Sequence, residues 1–145
     1  MLSILEMGRK LVYQHGIKLL AVDYLGLVRG GQDYEHASEN SRLCKIGARQ
    51  LNIPLIALHQ LKREVALRPD KRPILQDLKQ TGQTEQDADI VLFLHRDGYY
   101  QDSGLTEEPA ELIVAKQRDG ACGTIPLIWY AQTMSFAEPP DSPSV

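Results

Sequence analysis

Apolar residues fall along this chain in two kinds of pattern. Unbroken runs recur at Leu19 to Val22, at Ile53 to Leu58 with Pro54 near its start, and at Ile90 to Leu94. A run without alternation predicts a strand covered on both faces, as in a parallel α/β sheet. Elsewhere the spacing is helical. Leu5, Leu11 and Val12 stand among charged residues between Met1 and His15, with Gly16 as a stop. Leu43, Ile46 and Leu51 form a second stripe, with Ser38 as its N-cap and Asn52 at its end,. Strand, helix and strand within about forty residues predict a βαβ unit with a right-handed crossover,.

The remaining stretches are punctuated by turn formers. Arg29 to Asp33 reads as a loop, His59 to Arg72 as irregular, and Ile74 to Gln80 as a short helical pattern through Leu75 and Leu78, stopped by Gly82,. His95 to Pro109 reads as an acidic loop. Glu111 to Lys116 and Thr124 to Trp129 flank Gln117 to Gly123 as a hairpin with glycines at its tip,. The Pro- and Ser-rich end from Glu138 to Val145 reads as disordered,. The expectation is an α/β fold, with a mostly parallel sheet flanked by helices and a C-terminal β-hairpin. It occupies residues 1–136, and a tail covers 137–145.

Composition narrows the class. The 145 residues are enough for one domain with its own core, and 43% apolar with 24% charged residues describe a soluble globular chain,. No apolar stretch approaches about 18 residues, and the first residues lack a signal peptide's apolar segment, so the expected setting is cytoplasmic with no membrane partner,. Cys44 and Cys122 are far apart and His15, His36, His59 and His95 are scattered, which points to reduced thiols and no histidine metal site,. A net charge of −3 argues against a broadly basic nucleic-acid surface. Between Leu61 and Gln80, however, six basic residues face three acidic ones, a segment that is either a solvated loop or a local phosphate contact,.

Four places carry candidate chemistry. Asp23 ends the first strand, where open α/β sheets bind ligands,. It is either a Walker B carboxylate holding Mg²⁺ through the metal's water shell or a cap on the next turn. Gln60 follows the second strand and would stand beside Asp23, either as a loop residue or as a neutral amide able to sense a γ-phosphate,. Lys116 and Arg118, two apart at a strand end, are either surface cations or a pair aimed at a neighbouring subunit's phosphoryl-transfer site,. Lys79 and Gly82 sit on a turn where a cation and bare backbone could approach a phosphodiester,.

Taken in order and spacing, these pieces resemble a family. Asp23-Tyr-Leu-Gly-Leu27, Leu55-Ile-Ala-Leu-His-Gln60-Leu-Lys-Arg63, Arg68-Pro-Asp-Lys-Arg-Pro73, Asp77 through Glu85-Gln-Asp-Ala-Asp89 to Arg96, and Lys116-Gln-Arg118-Asp-Gly120 resemble the carboxy-terminal motor domain of DnaB-type replicative DNA helicases. The resemblance covers nearly all of Leu11 to Phe136. It implies a RecA-like fold, ATP and Mg²⁺ as cofactors, and a hexameric ring that unwinds duplex DNA 5′ to 3′ during replication. Asp23 then resembles the Walker B aspartate on Mg²⁺, Gln60 the γ-phosphate amide, and Lys116 with Arg118 the pair that reaches into the next protomer's ATP. Lys79, Gln80 and Gly82 fall where the family's inner loop grips single-stranded DNA. Further partners implied are identical or full-length helicase subunits, and primase or a helicase loader.

The chain also departs from the family. Lys79-Gln-Thr-Gly82 stands where Arg-Glu-Ser-Gly is usual, exchanging a bidentate fork for a point charge,. His59 replaces a common Ser, and Gly47 weakens the second helix by about 1 kcal/mol relative to Ala,. No Gly-x-x-x-x-Gly-Lys-Ser/Thr occurs, and Met1 lies after the point where the family has that loop and its catalytic glutamate,. The expectation is a part of the motor that is inactive by itself. Two rivals remain: a non-catalytic module that docks into a helicase ring, and a RecA-like recombinase or other RecA-fold ATPase.

Overall fold

The computed structural model describes residues 1–28, 34–78, 82–100 and 104–140. They form two compact units, Met1–Lys62 with Gln76–Ala88, and Arg63–Leu75 with the chain from Asp89 onward.

The first unit is the expected βαβ arrangement with a helix before it. Helix α1 (Leu2–His15) ends at Gly16, which takes φ 63° and donates its N–H to the Val12 carbonyl. Glycine reaches that left-handed conformation without a Cβ penalty. Strands β1 (Leu20–Val22) and β2 (Leu55–Ala57) pair in parallel, Leu20 opposite Leu55 and Val22 opposite Ala57, around the crossover helix α2 (Tyr34–Leu51). The Pro54 carbonyl accepts the Leu20 N–H at 3.1 Å, so the proline enters the pairing through its acceptor and its missing donor is not used,. Asn52 stops α2 at φ 52°. Ser38, expected as the cap, lies within α2, because the helix already runs from Tyr34.

Val22, Leu25 and Cys44 form the buried centre of this unit, with Met1, Ile4, Val28, Leu55 and Ala57 packed on it. Burial pushes the Cys44 thiol up to about 11,. A Cβ on Gly47 would run into the Leu5 side chain, so the glycine that weakens α2 is where Leu5 of α1 packs onto it. The chain re-enters the unit at Gln76. The helical pattern of 74–80 is realised only as a 3₁₀ turn, Leu75–Asp77. Leu78 is drawn instead into an antiparallel bridge with Leu61, and the Lys62 N–H donates to the Asp77 carbonyl at 2.8 Å. Gly82, expected to stop a helix, is the first residue of α3 (Gly82–Asp87).

The second unit is an antiparallel sheet in the order β3-β4-β5-β6: Ile90–His95, Glu107–Gln117, Gly123–Tyr130 and Ser135–Ala137. The expected hairpin is present as β4 and β5 and is longer than its sequence pattern, taking Glu107 to Pro109 out of the expected loop. The third apolar run was expected to be covered on both faces. In β3, however, Val91, Phe93 and His95 are buried while Ile90, Leu92 and Leu94 are 54%, 53% and 55% exposed. Pairing with β4 covers one edge and packing covers one face, which leaves the other face of β3 open,.

On the sheet, Arg72 grips Glu111 through Nε and Nη2 at 2.7 and 2.9 Å. That bidentate bond holds the Glu111 carboxyl below its ordinary range and pushes the Arg72 guanidinium up,. Arg96 pairs with the buried Glu108 at 3.1 Å and lies over the Trp129 ring at 4.6 Å.

The α/β class is therefore as expected: one unit holds a parallel pair with its helices, and the other an antiparallel sheet. The Arg29 to Asp33 turn and residues 141–145 of the expected tail lie outside the described residues. No helix among the described residues is long and apolar enough to cross a membrane. Both cysteines are free thiols, Cys44 buried and Cys122 exposed.

Candidate functional site

Parallel pairing fixes where Asp23 stands. Val22 is opposite Ala57, so Asp23 follows β1 at the same carboxyl edge where Gln60 follows β2. Two backbone bonds close that edge, from the Leu58 N–H to the Val22 carbonyl and from the Leu25 N–H to the Leu58 carbonyl, both at 3.0 Å. Neighbouring strands lie about 4.8 Å apart, and by this register Asp23 is level with Leu58, two residues before Gln60. Both residues are exposed. The Asp23–Tyr24 peptide is cis.

The capping alternative for Asp23 is not realised. The 3₁₀ turn that follows, Leu25–Leu27, has Tyr24 as its N-cap and no side-chain cap bond. Gln60 is braced by a neighbour that the sequence marks only as a departure from the family. His59 Nδ1 donates to the Gln60 carbonyl at 2.9 Å, which places the ring proton on Nδ1,.

Of the three candidate DNA contacts, Lys79 and Gln80 lie outside the described residues. Gly82 is exposed at the start of α3, and a Cβ there would meet nothing within 4 Å. The approach to this loop is pinned. Leu78 is bridged to Leu61, and Lys62 Nζ donates to the Gln76 carbonyl at 2.7 Å.

Lys116 and Arg118 belong to the second unit. Lys116 is half-buried in β4 opposite Val91, next to a register shift between Val91 and Leu92. Such a bulge re-aims the side chains around it. Gln117 ends β4, and Arg118 opens the turn of the hairpin. The Arg118 N–H donates to the Asp89 carbonyl at 2.9 Å, and its Nε lies 3.3 Å from Asp89 Oδ1. The sequence reading missed Asp89 as a partner. No local signal marks it: Ile90 pairs with Gln117, so the residues just outside that pair meet, and recognising this requires β4 as the neighbour of β3.

The sequence profile of the DnaB-like helicase C-terminal domain matches residues 1–138. The chain belongs to that family. It is 43% identical over 133 residues to the replicative DNA helicase DnaB of Geobacillus stearothermophilus, covering 88% of this chain and 29% of the relative. It is 41% identical, over the same length and shares, to the replicative DNA helicase DnaC of Bacillus subtilis (strain 168). Among solved structures, one ATPase domain superposes with a TM-score of 0.83 at 38% identity, over 93% of this chain and 50% of that one. A DnaB-like replicative helicase, solved in a study of its interactions with primase, gives the same TM-score and identity and is covered to 34%. This chain thus spans under a third of the length of these curated relatives and half of the superposed ATPase-domain chain.

A magnesium ion that accompanies a nucleotide keeps several waters and takes one or two carboxylates besides the phosphates. The described residues contain no cluster of three or more metal-ligating side chains. A single exposed carboxylate at a sheet rim fits that mode of binding.

Proposed function

We propose that this chain is the Walker B-bearing part of a hexameric, ATP-driven replicative DNA helicase motor that moves 5′ to 3′ along one strand during DNA replication. The observation that carries the reading is the parallel β1–β2 register, from whose one carboxyl edge Asp23 leaves directly after β1 and Gln60 three residues after β2, in a chain 43% identical to a replicative helicase.

Bound with Mg²⁺ between subunits, ATP would supply the phosphoryl group whose transfer to water drives the motor. Asp23 would hold that ion through its water shell. Gln60 would hydrogen-bond the terminal phosphate without adding charge, its backbone steadied by His59,. Lys116 and Arg118 would extend from the hairpin to the nucleotide of the adjacent protomer, where two cations offset charge that builds up in transfer. Lys79, Gln80 and Gly82 would contact phosphates of single-stranded DNA in the ring channel. Primase or a loader would be further partners of the complete assembly, and the cytoplasm its setting.

By itself the chain does not turn over ATP in this reading, since the sequence holds no phosphate loop. Apolar side chains at both sheets support a larger whole: Ile56 and Leu58 are 49% and 48% exposed at β2, and Ile90, Leu92 and Leu94 line an open face of β3. The test is a titration of the 145-residue chain with a fluorescent ATP analogue and Mg²⁺, beside DNA-stimulated hydrolysis by the assembled motor carrying Asp23→Asn. No saturable binding tighter than about millimolar, a free energy of about −4 kcal/mol, is expected for the chain, and hydrolysis by the variant motor should be lost. Turnover by the chain alone would overturn the inactivity, and full activity of the variant would overturn the role of Asp23.

The exposed row on β3 also favours a second reading, a non-catalytic module that docks into a helicase ring. Co-purification with a full-length helicase, abolished by altering the hairpin from Lys116 to Cys122, would select it.

A further inference from the structure

We propose that Asp89 is the positioning residue for Arg118, an inference that rests on the reading of Arg118 as the cation offered to a neighbouring nucleotide. The two residues are held opposite one another by the sheet. Ile90 and Gln117 form the last register pair of β3 and β4, and the chain continues outward from that pair to Asp89 on one side and Arg118 on the other. The Arg118 N–H donates to the Asp89 carbonyl at 2.9 Å, which fixes the backbone from which the guanidinium departs. The Asp89 carboxylate then takes the guanidinium through Nε, 3.3 Å from Oδ1.

The geometry suits a side chain that must reach outward in one direction. Arginine has many rotamers to lose before it can meet an anion, and a carboxylate that orients the guanidinium removes part of that cost beforehand. The ion pair is made at Nε, one donor of a planar five-donor fork of the kind that binds carboxylate or phosphate bidentately. The pair is also weak enough to yield. The side chains are 49% and 53% exposed, and exposed ion pairs are screened by solvent. A tether of this kind sets direction without competing seriously with a nucleotide's phosphates.

The experiment compares Arg118→Ala, Asp89→Asn, Asp89→Ala and the Asp89→Asn/Arg118→Ala double variant in the assembled ATPase that carries this chain. Arg118→Ala should lower kcat by about a thousandfold or more. Asp89→Asn keeps the shape and the main-chain bond but loses the charge, and should lower kcat by about tenfold, with Asp89→Ala nearer a hundredfold. KM for ATP should hold in both, and thermal midpoints should stay at the parent value. In the Arg118→Ala background, Asp89→Asn should cost nothing further. If Arg118→Ala is slow and both Asp89 variants run at the parent rate, or if Asp89→Asn is equally harmful without Arg118, the positioning role is overturned while the reading of Arg118 stands. If Arg118→Ala itself runs at the parent rate, that reading falls and takes this inference with it. On the chain alone, the Arg118 Nε–H should exchange with solvent more slowly in the parent than in Asp89→Ala, and equal rates would also overturn the proposal.

Discussion

Leu61 and Leu78 form an isolated antiparallel bridge that ties the residue after Gln60 to the residue before Lys79. The Lys62 N–H reinforces it by donating to the Asp77 carbonyl at 2.8 Å. A candidate γ-phosphate sensor and a candidate DNA loop thus leave from the two ends of one short backbone tie. Leu78 is buried at 8% exposure, so the tie is held by packing as well as by hydrogen bonds.

Leu78→Ala should therefore act on stability and on the loop together. Truncating a buried leucine costs about 2–5 kcal/mol, to be read as a lower urea midpoint with an unchanged slope. Lys79→Ala, one residue along, should leave that midpoint in place. It should instead flatten the salt dependence of single-stranded DNA binding by about 0.7 in the log–log slope, the share of one phosphate contact. A Lys79→Ala slope equal to the parent's would remove Lys79 from the DNA surface.

Gly47→Ala should destabilise, although alanine is the better helix former by about 1 kcal/mol. The added methyl would meet the Leu5 side chain, and overpacking of this kind costs about 1–3 kcal/mol. In a Leu5→Ala background the obstacle is gone, and the same substitution should stabilise. A reversal of sign between the two backgrounds, measured by thermal melting, is the expected signature.

How far the sequence carried the reading depends on how local each determinant is. Gly16, Asn52 and the runs that became β1 and β2 are legible because a helix stop or a buried strand is written in a few adjacent residues. Asp23 and Gln60 follow from them, since parallel pairing carries both strand ends to one edge. The partner of β3 was not legible. A six-residue apolar strand has the same appearance beside a parallel neighbour as beside β4, and only long-range pairing decides. Asp89 was missed for that reason. Gly82 was misread because the bridge of Leu78 to Leu61 ends the preceding helical pattern from a distance. His59 was noted as a departure, but its bond to the Gln60 carbonyl depends on a ring orientation that sequence does not encode.

The two thiols should differ sharply in reactivity. Cys44 is buried against Val22 and Leu25, with its thiol pushed up to about 11, while Cys122 is exposed. The thiolate is the reacting form, so at about pH 8 Cys44 is held back both by access and by protonation. One equivalent of a thiol reagent should react within the mixing time of a bench assay and the second only on unfolding. Cys122→Ser should abolish the fast phase alone, and a fast phase that survives would show that the helical layer over β1 opens readily.

Acid should loosen the second unit through Glu111. Its carboxyl is held below the ordinary value of about 4.5 chiefly by the hydrogen bonds from Arg72. A carboxyl with a lowered folded-state pKa contributes stability that is fully present above the unfolded value and is lost as pH falls through the folded one. The loss attributable to this pair should accordingly begin below about pH 4.5,. Arg72→Leu should lower the melting temperature at about pH 7, and the difference from the parent should close as pH is taken below that value. Because Arg72 lies at the solvent surface, about 0.5 M salt should shrink the neutral-pH difference as well,. An Arg72→Leu deficit that is constant from about pH 7 to about pH 3 would assign the effect to lost packing of the arginine stem and not to the ion pair.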